Sequence, residues 1–261
     1  NEYEKEISIS FVQKTDDFDA KDKQQLLNIY YTILASGMDE FTFYCDSSYE
    51  NCLDDILDIN DDSTTLSQMN NFVNVFNTFR SIKTTYTNSG KITINIDKAY
   101  SQEDIEKINE KVDVIYDELI DENKSPEWNI KKVHDYIINN TKYNLAEENS
   151  NEFTDSSTAM GVLFNGSATC NGYTDAMSIF LDKMKITNAR VSNTSHIWNI
   201  VNLDNKWLHL DLTWDDPVNN LNKDMLVYDY YLIDTPELKA VDKLKDKTDH
   251  DFDTVIYDFL Q

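Results

Sequence analysis

His196-Ile197-Trp198-Asn199-Ile200-Val201-Asn202-Leu203-Asp204-Asn205-Lys206-Trp207-Leu208-His209-Leu210-Asp211 is the stretch whose reading decides the fold. Ile197–Leu203 and Lys206–Leu212 both have strand character, with Asp204-Asn205 between them as a turn. A two-residue turn pairs Leu203 with Lys206. Counting outward, His196 faces Thr213 and Trp198 faces Asp211. His196 and Asp211 then become diagonal neighbours on one face, their Cα atoms roughly 7–8 Å apart. A turn one residue longer or shorter would put them on opposite faces. His209 shares that face but pairs with Ile200, deeper toward the turn, so His196 is the preferred partner of Asp211.

Upstream lies Gly166-Ser167-Ala168-Thr169-Cys170-Asn171-Gly172-Tyr173, followed by Ala176, Ile179, Phe180 and Met184 at helical spacing. This places a thiol at a helix N-terminus, where the positive end of the helix dipole favours thiolate, the nucleophilic form. Cys170, His196 and Asp211 make a candidate nucleophile, base and orienting group. The backbone N–H of Cys170 is a natural oxyanion donor, and the Asn165 amide is a candidate second one. Tyr173 and Trp198 are further candidates for contacts to substrate or oxyanion. By motif alone, a buried structural cysteine competes with this reading.

The 261 residues hold 23 Lys and Arg against 48 Asp and Glu, a formal net charge of −25. Nucleic acid and anionic lipid reward basic faces, so neither is an expected partner. Residues 46–62 carry Asp46, Glu50, Asp54, Asp55, Asp58, Asp61 and Asp62 without a Lys or Arg. Asp58-Ile59-Asn60-Asp61-Asp62 lacks the glycine and closing glutamate of an EF-hand loop, so a solvated helix face is expected. No metal site, phosphate-cradling loop, organic cofactor motif or membrane span is expected. Cys45 and Cys52 are close enough to cross-link, leaving Cys170 as the odd thiol; two unpaired cysteines are the alternative. The chain begins at Asn1 rather than Met. A removed signal or lipoprotein leader, and hence an extracellular or surface location, would explain that; so would an arbitrary boundary.

Two domains are expected, 1–100 and 101–261. In the first, alternation over 6–12 and 40–45 predicts strands, and Leu26, Leu27, Tyr30, Ile33 and Leu34 predict a helix ended by Gly37. Helices are expected near 49–59 and 65–79, then a hairpin of 83–86 and 91–97 around Asn88-Ser89-Gly90. In the second, Ile105, Ile108, Val112, Ile115 and Leu119 stripe a long helix, and Ser125-Pro126 opens another bearing Ile130, Val133 and Ile137. His134 beside that stripe reads as structural, and 144–158 reads as a loop. Trp128, Trp207 and Trp214 read as core or cleft wall.

The segment from Gly161 to Tyr173 resembles the nucleophile segment of bacterial transglutaminase-like domains. His196–Val201, Trp207–Asp211 and Thr213-Trp214-Asp215-Asp216-Pro217 resemble that superfamily's histidine and aspartate segments, and Val133-His134-Asp135-Tyr136-Ile137 the preceding helix. The likeness spans roughly 103–235; Ile197 departs from it, since many relatives have alanine after the histidine. It implies an α+β, papain-like transglutaminase core with Cys170, His196 and Asp211 as triad, preceded by a small α+β region of a kind found in Gram-positive proteins. It further implies acyl transfer through a thioester on protein or peptide amides, including those of the cell surface or wall. Hydrolysis is the simpler default; amine transfer, or a non-catalytic binding scaffold that keeps the fold, are the alternatives.

Overall fold

The computed structural model describes residues 9–15, 18–147, 153–217 and 225–260. The chain divides into two compact units, Asn1–Ser101 and Gln102–Gln261. Both mix helices with sheet, so the fold class is α+β.

In the first unit, β1 (Asp19–Ala20) leads into α1 (Lys23–Ser36). The Asp22 side chain accepts from the Gln25 N–H at the start of α1, and Gly37 ends it in the left-handed conformation at φ 61°. Then follow β2 (Glu40–Cys45), α2 (Cys52–Asp61), α3 (Ser63–Asn70), β3 (Phe79–Tyr86) and β4 (Lys91–Lys98). The sheet order is β1-β2-β4-β3, with β2 and β3 both antiparallel to β4 and β1 parallel to β2. Leu26, Ile29 and Ile33 of α1 bury against Phe41 and Phe43 of β2 and Ile92 and Ile94 of β4. Cys45 and Cys52 form a disulfide, Cα atoms 6.0 Å apart. The acidic stretch around α2 is mostly exposed, as a solvated face requires.

Two expectations here are corrected. The helix placed over 65–79 stops at Asn70; a 3-10 turn occupies Val75–Asn77 and β3 has begun by Phe79. Asn71 and Asn74, which favour caps and turns, break the apolar period that continuing it would need. The strand expected over 6–12 is not a strand over 9–12, where Ile9 and Val12 instead pack on the core as irregular chain; residues 6–8 lie outside the described residues.

The second unit begins with α4 (Gln102–Leu119), burying Ile108, Val112 and Ile115, and α5 (Pro126–Asn140), burying Ile130, Val133 and Ile137. Ser125 caps α5 by accepting from the Trp128 N–H. A short parallel pair, β5 (Lys142–Tyr143) and β6 (Ser167–Ala168), brings the chain to α6 (Cys170–Lys183). The sheet order is then β10 (Tyr231–Ile233), β9 (Lys206–Leu210), β8 (Ile197–Leu203) and β7 (Asn188–Ser192), antiparallel throughout. Helix α7 (Thr235–Lys245) follows, opened by an Asp234–Glu237 capping box. In the loop expected over 144–158, a 3-10 turn spans Asp155–Ser157; 148–152 lie outside the described residues.

The β8–β9 hairpin has the register its sequence dictates. Leu203 pairs with Lys206 and Ile200 with His209, while Asp204 and Asn205 take positive φ of 51° and 62°, the type I′ pattern. The ladder ends at Asn199–Leu210, so β9 is two residues shorter than its apolar run. Asp211 leaves the ladder and donates its N–H to the Tyr230 carbonyl.

Candidate active site

Helix α6 is nearly all buried, and Cys170 is its first residue. Gly172 permits this placement: a Cβ there would lie 2.5 Å from the Ser156 carbonyl oxygen and 2.8 Å from the Ala168 Cβ. Two side chains fasten α6 to β8. Thr174 Oγ1 donates to the Ile197 carbonyl at 3.1 Å. Asn199 Nδ2 donates to the Thr174 carbonyl at 3.1 Å and to Ser178 Oγ at 2.8 Å. The helix is thus clipped, one turn past the thiol, to the residue after His196. A buried ion pair, Arg190 to Asp175 at 3.0 Å, ties the same helix to β7.

His196, Asp211 and Cys170 come together. His196 Nε2 lies 2.5 Å from Asp211 Oδ2, and Cys170 is near enough to His196 to help hold the imidazole's proton. With Nε2 committed to Asp211, Nδ1 is the nitrogen left for the sulfur. Asp211 Oδ1 accepts the backbone N–H groups of Thr213 (2.8 Å) and Trp214 (3.2 Å), which fix the carboxylate. Burial pulls the His196 imidazole toward its neutral form, but the charge and hydrogen bond of Asp211, helped by Cys170, lift its pKa from 6.5 to about 10. Burial likewise opposes the Asp211 charge, yet His196 and a second histidine, His250, hold this carboxyl far below the usual carboxylate range.

His250 was not foreseen from sequence. Its Nε2 lies 2.9 Å from Asp211 Oδ2 and its Nδ1 2.9 Å from Asp242 Oδ1. The chain has four histidines, and this one sits in irregular chain 39 residues past Asp211, with no periodic pattern to flag it.

The other two histidines have different tasks. His209 Nδ1 accepts from Trp198 Nε1 at 3.0 Å, and its Nε2 faces Thr235 Oγ1 at 3.0 Å. Burial, then the nearby His250, lower its pKa to about 3, so the ring is neutral. His134 is fully buried between Asp135 (3.1 Å) and Asp215 (3.2 Å), where it anchors α5 to the loop after Asp211.

The three accessory candidates are placed elsewhere. Tyr173 is fully buried and its hydroxyl donates to Asp216 Oδ2 at 2.6 Å. Trp198 is also enclosed, its ring stacked on His196 with centroids 5.7 Å apart and its N–H spent on His209. Both bulky rings are buried because α6 and β8 turn them inward. Asn165 is exposed, donates to Asp155 Oδ2 at 3.3 Å, and lines a separate polar depression with Glu147 and Ser156.

A cleft of about 270 Å³ opens beside His196, walled by Tyr143, Leu145, Thr213, Trp214, Asp216 and Asp249. As for metal, one ligand atom each from His196, Asp211 and His250 lie within 4.8 Å, the one such group among the described residues. Donors on one tetrahedral zinc, bonded at about 2.0–2.1 Å, sit roughly 3.3 Å apart. The 2.5 and 2.9 Å separations here are those of hydrogen bonds instead.

A helix-borne thiol beside an imidazole that a carboxylate holds has the parts a thiol nucleophile needs: an attacking group, a base and an orienting group. Residues 114–212 match the family model of the transglutaminase-like superfamily. That segment runs from within α4 to just past β9 and contains Cys170, His196 and Asp211; it is similar to the core of that superfamily. Comparison with curated proteins gives no match. Among solved structures, a TGase is 12% identical, with 69% of this chain and 52% of that one covered at a TM-score of 0.39. A structure described as "Putative Cysteine Protease from Cytophaga hutchinsonii" is 13% identical, with 56% and 65% covered and a TM-score of 0.32. The chain thus spans about half the length of the first and about two thirds of the second. Among the described residues, no helix is long and apolar enough to cross a membrane.

Proposed function

We propose that this protein transfers acyl groups from amide bonds of proteins or peptides to water, through a thioester on Cys170. The observation that carries the reading is the 2.5 Å bond from His196 Nε2 to Asp211 Oδ2, which leaves the other face of the ring to the thiol. His196 holds the proton taken from the thiol, and the sulfur adds to the amide carbonyl. The N–H groups of the first turn of α6 have no partner within the helix, and that of Cys170 is the donor nearest the developing oxyanion. His196 then returns its proton to the leaving amine as the C–N bond breaks. Water attacks the thioester, giving one proton to His196, and the thiol and a carboxylic acid are regenerated.

An amine in place of water gives transamidation by the same thioester. The two are separated by incubating glutamine-containing peptides with a labelled amine in H2¹⁸O. We expect one ¹⁸O in the new carboxyl group and no product from Cys170→Ala. Amine incorporation lost in Cys170→Ala would overturn the hydrolytic reading, and no Cys170-dependent product would leave the scaffold alternative standing. The Cys45–Cys52 disulfide supports an oxidising location outside the cytosol, with surface or cell-wall peptides as the substrate class within reach.

A further inference from the structure

His250 is held in place by the same side chain that holds His196. Asn193 Oδ1 accepts the backbone N–H of His196 at 2.9 Å. Its Nδ2 donates to the carbonyls of Asp249 (2.7 Å) and Asp251 (2.8 Å), on either side of His250. The ring is fully enclosed: edge-on to Trp198 with centroids 5.0 Å apart, edge-on to His196 at 5.4 Å, and against Tyr230 at 4.7 Å. Tyr230 also donates to Asp242 Oδ1 at 3.1 Å. Both His250 nitrogens therefore face carboxylate oxygens, Asp211 on one side and Asp242 on the other. The Asp211 carboxylate only accepts, so the His250 nitrogen facing its Oδ2 is the donor of that bond.

We propose that His250 is a positioning residue for the acyl-transfer site: it shares Asp211 Oδ2 with His196, and so both fixes that carboxylate and weakens its hold on the His196 proton. This rests on the function proposed above. A carboxylate oxygen that accepts a second donor offers less charge to the first. A triad whose carboxylate served His196 alone would hold the imidazolium so firmly that returning its proton to a leaving amine would slow. The groups facing this pair are Cys170 from α6, His209 from β9, Tyr230 ahead of β10 and Asp242 from α7. Asp249 borders the adjoining cleft, and Lys247 lies over the Trp214 ring that flanks His196. None of these places a second donor on Asp211 Oδ2 as His250 does.

The test follows the rate of iodoacetamide alkylation of Cys170, by intact mass, from pH 5 to pH 11 in the full chain. His250→Phe keeps a ring but removes the donor, and His250→Gln restores a neutral donor. In His250→Phe the alkaline limb assigned to His196 should move up by about one pH unit. In His250→Gln it should return most of the way to wild type. A purely packing role predicts no limb shift in the phenylalanine variant. If His250→Phe does not fold, Asp242→Asn keeps the His250 ring while loosening its hold, and should move the limb in the same direction. Limbs coincident with wild type in every folded variant overturn the proposal. A profile equally unaffected by His196→Ala would instead overturn the underlying acyl-transfer reading, so the two failures are distinguishable.

Discussion

Trp198 Nε1 donates to His209 Nδ1 across 3.0 Å, and this bond divides the work of the two hairpin histidines. Both rings rise from the same hairpin. The indole occupies one nitrogen of His209 and Thr235 the other, while His196 keeps a nitrogen for the thiol. His209→Ala should therefore leave Cys170 alkylation within a few-fold of wild type. It should cost about 2–4 kcal/mol of stability, since two buried polar partners lose their bonds and a cavity opens. Denaturant unfolding alongside alkylation checks this; a large loss of thiol reactivity in a folded His209→Ala would contradict it.

The same two histidines set opposite arms of a pH–stability curve. His209 is depressed from 6.5 to about 3, so the unfolded chain binds the extra proton between those values. Its contribution is present above pH 6.5 and is lost as pH falls toward 3. His196 is raised from 6.5 to about 10, so its contribution is full below 6.5 and is lost as pH rises through 10. Each arm has a limiting slope of about 1.4 kcal/mol per pH unit. Unfolding free energy measured against pH should fall on both sides of about 6.5, a turning point these shifts dictate. His209→Gln should flatten the acid arm and His196→Ala the alkaline arm. An unchanged acid arm in His209→Gln would sink the assignment.

Arg190 and Asp175 pair inside the unit with neither side chain exposed to any extent. Arg190→Met leaves the carboxylate of α6 buried without this partner, and removing one member of such a pair costs about 3–5 kcal/mol. Because Asp175 lies on the helix that begins at Cys170, the loss should appear as a lower Tm. Double replacement with Asp175→Leu should recover much of it. If the double variant is as unstable as the single one, the pair is not what holds α6 to β7.

Gly172→Ala tests how α6 is seated. A methyl group there meets backbone oxygens of Ser156 and Thr158 at 2.5 and 2.8 Å, which flexible side chains cannot relieve. The start of the helix must shift, carrying Cys170 with it. We expect slowed alkylation and a loss of about 1–3 kcal/mol, as for an overpacked core. Unchanged behaviour in both measurements would show that the 156–158 turn moves freely.

Much of this architecture was legible where the code is local. The Asp204-Asn205 turn fixed a register from which the proximity of His196 and Asp211 followed, and the Ser125-Pro126 start and Gly37 stop mark helix ends that the structure shows. What stayed hidden depends on tertiary contact. Tyr173 and Trp198 read as candidates for substrate or oxyanion contacts, and their burial, with α6 and β8 turning both inward, has no local sequence signal. His250 joins the site through long-range bonds that no periodicity encodes: Asn193 gathers the chain around residue 250, and Asp242 holds the ring. The apolar run 65–79 contained both a helix and the start of a strand, and the asparagines between them were the overlooked signal.

The central claim is that His196 activates Cys170, and the rate of Cys170 alkylation at pH 6 in wild type and His196→Ala tests it most directly. Free thiols of pKa about 8.5 are nearly all protonated at that pH and react slowly. The thiol–imidazole arrangement predicts fast labelling of wild type at pH 6 and a rate about 100-fold lower in folded His196→Ala, as expected for loss of a positioned base. Equal rates in the two proteins would contradict it.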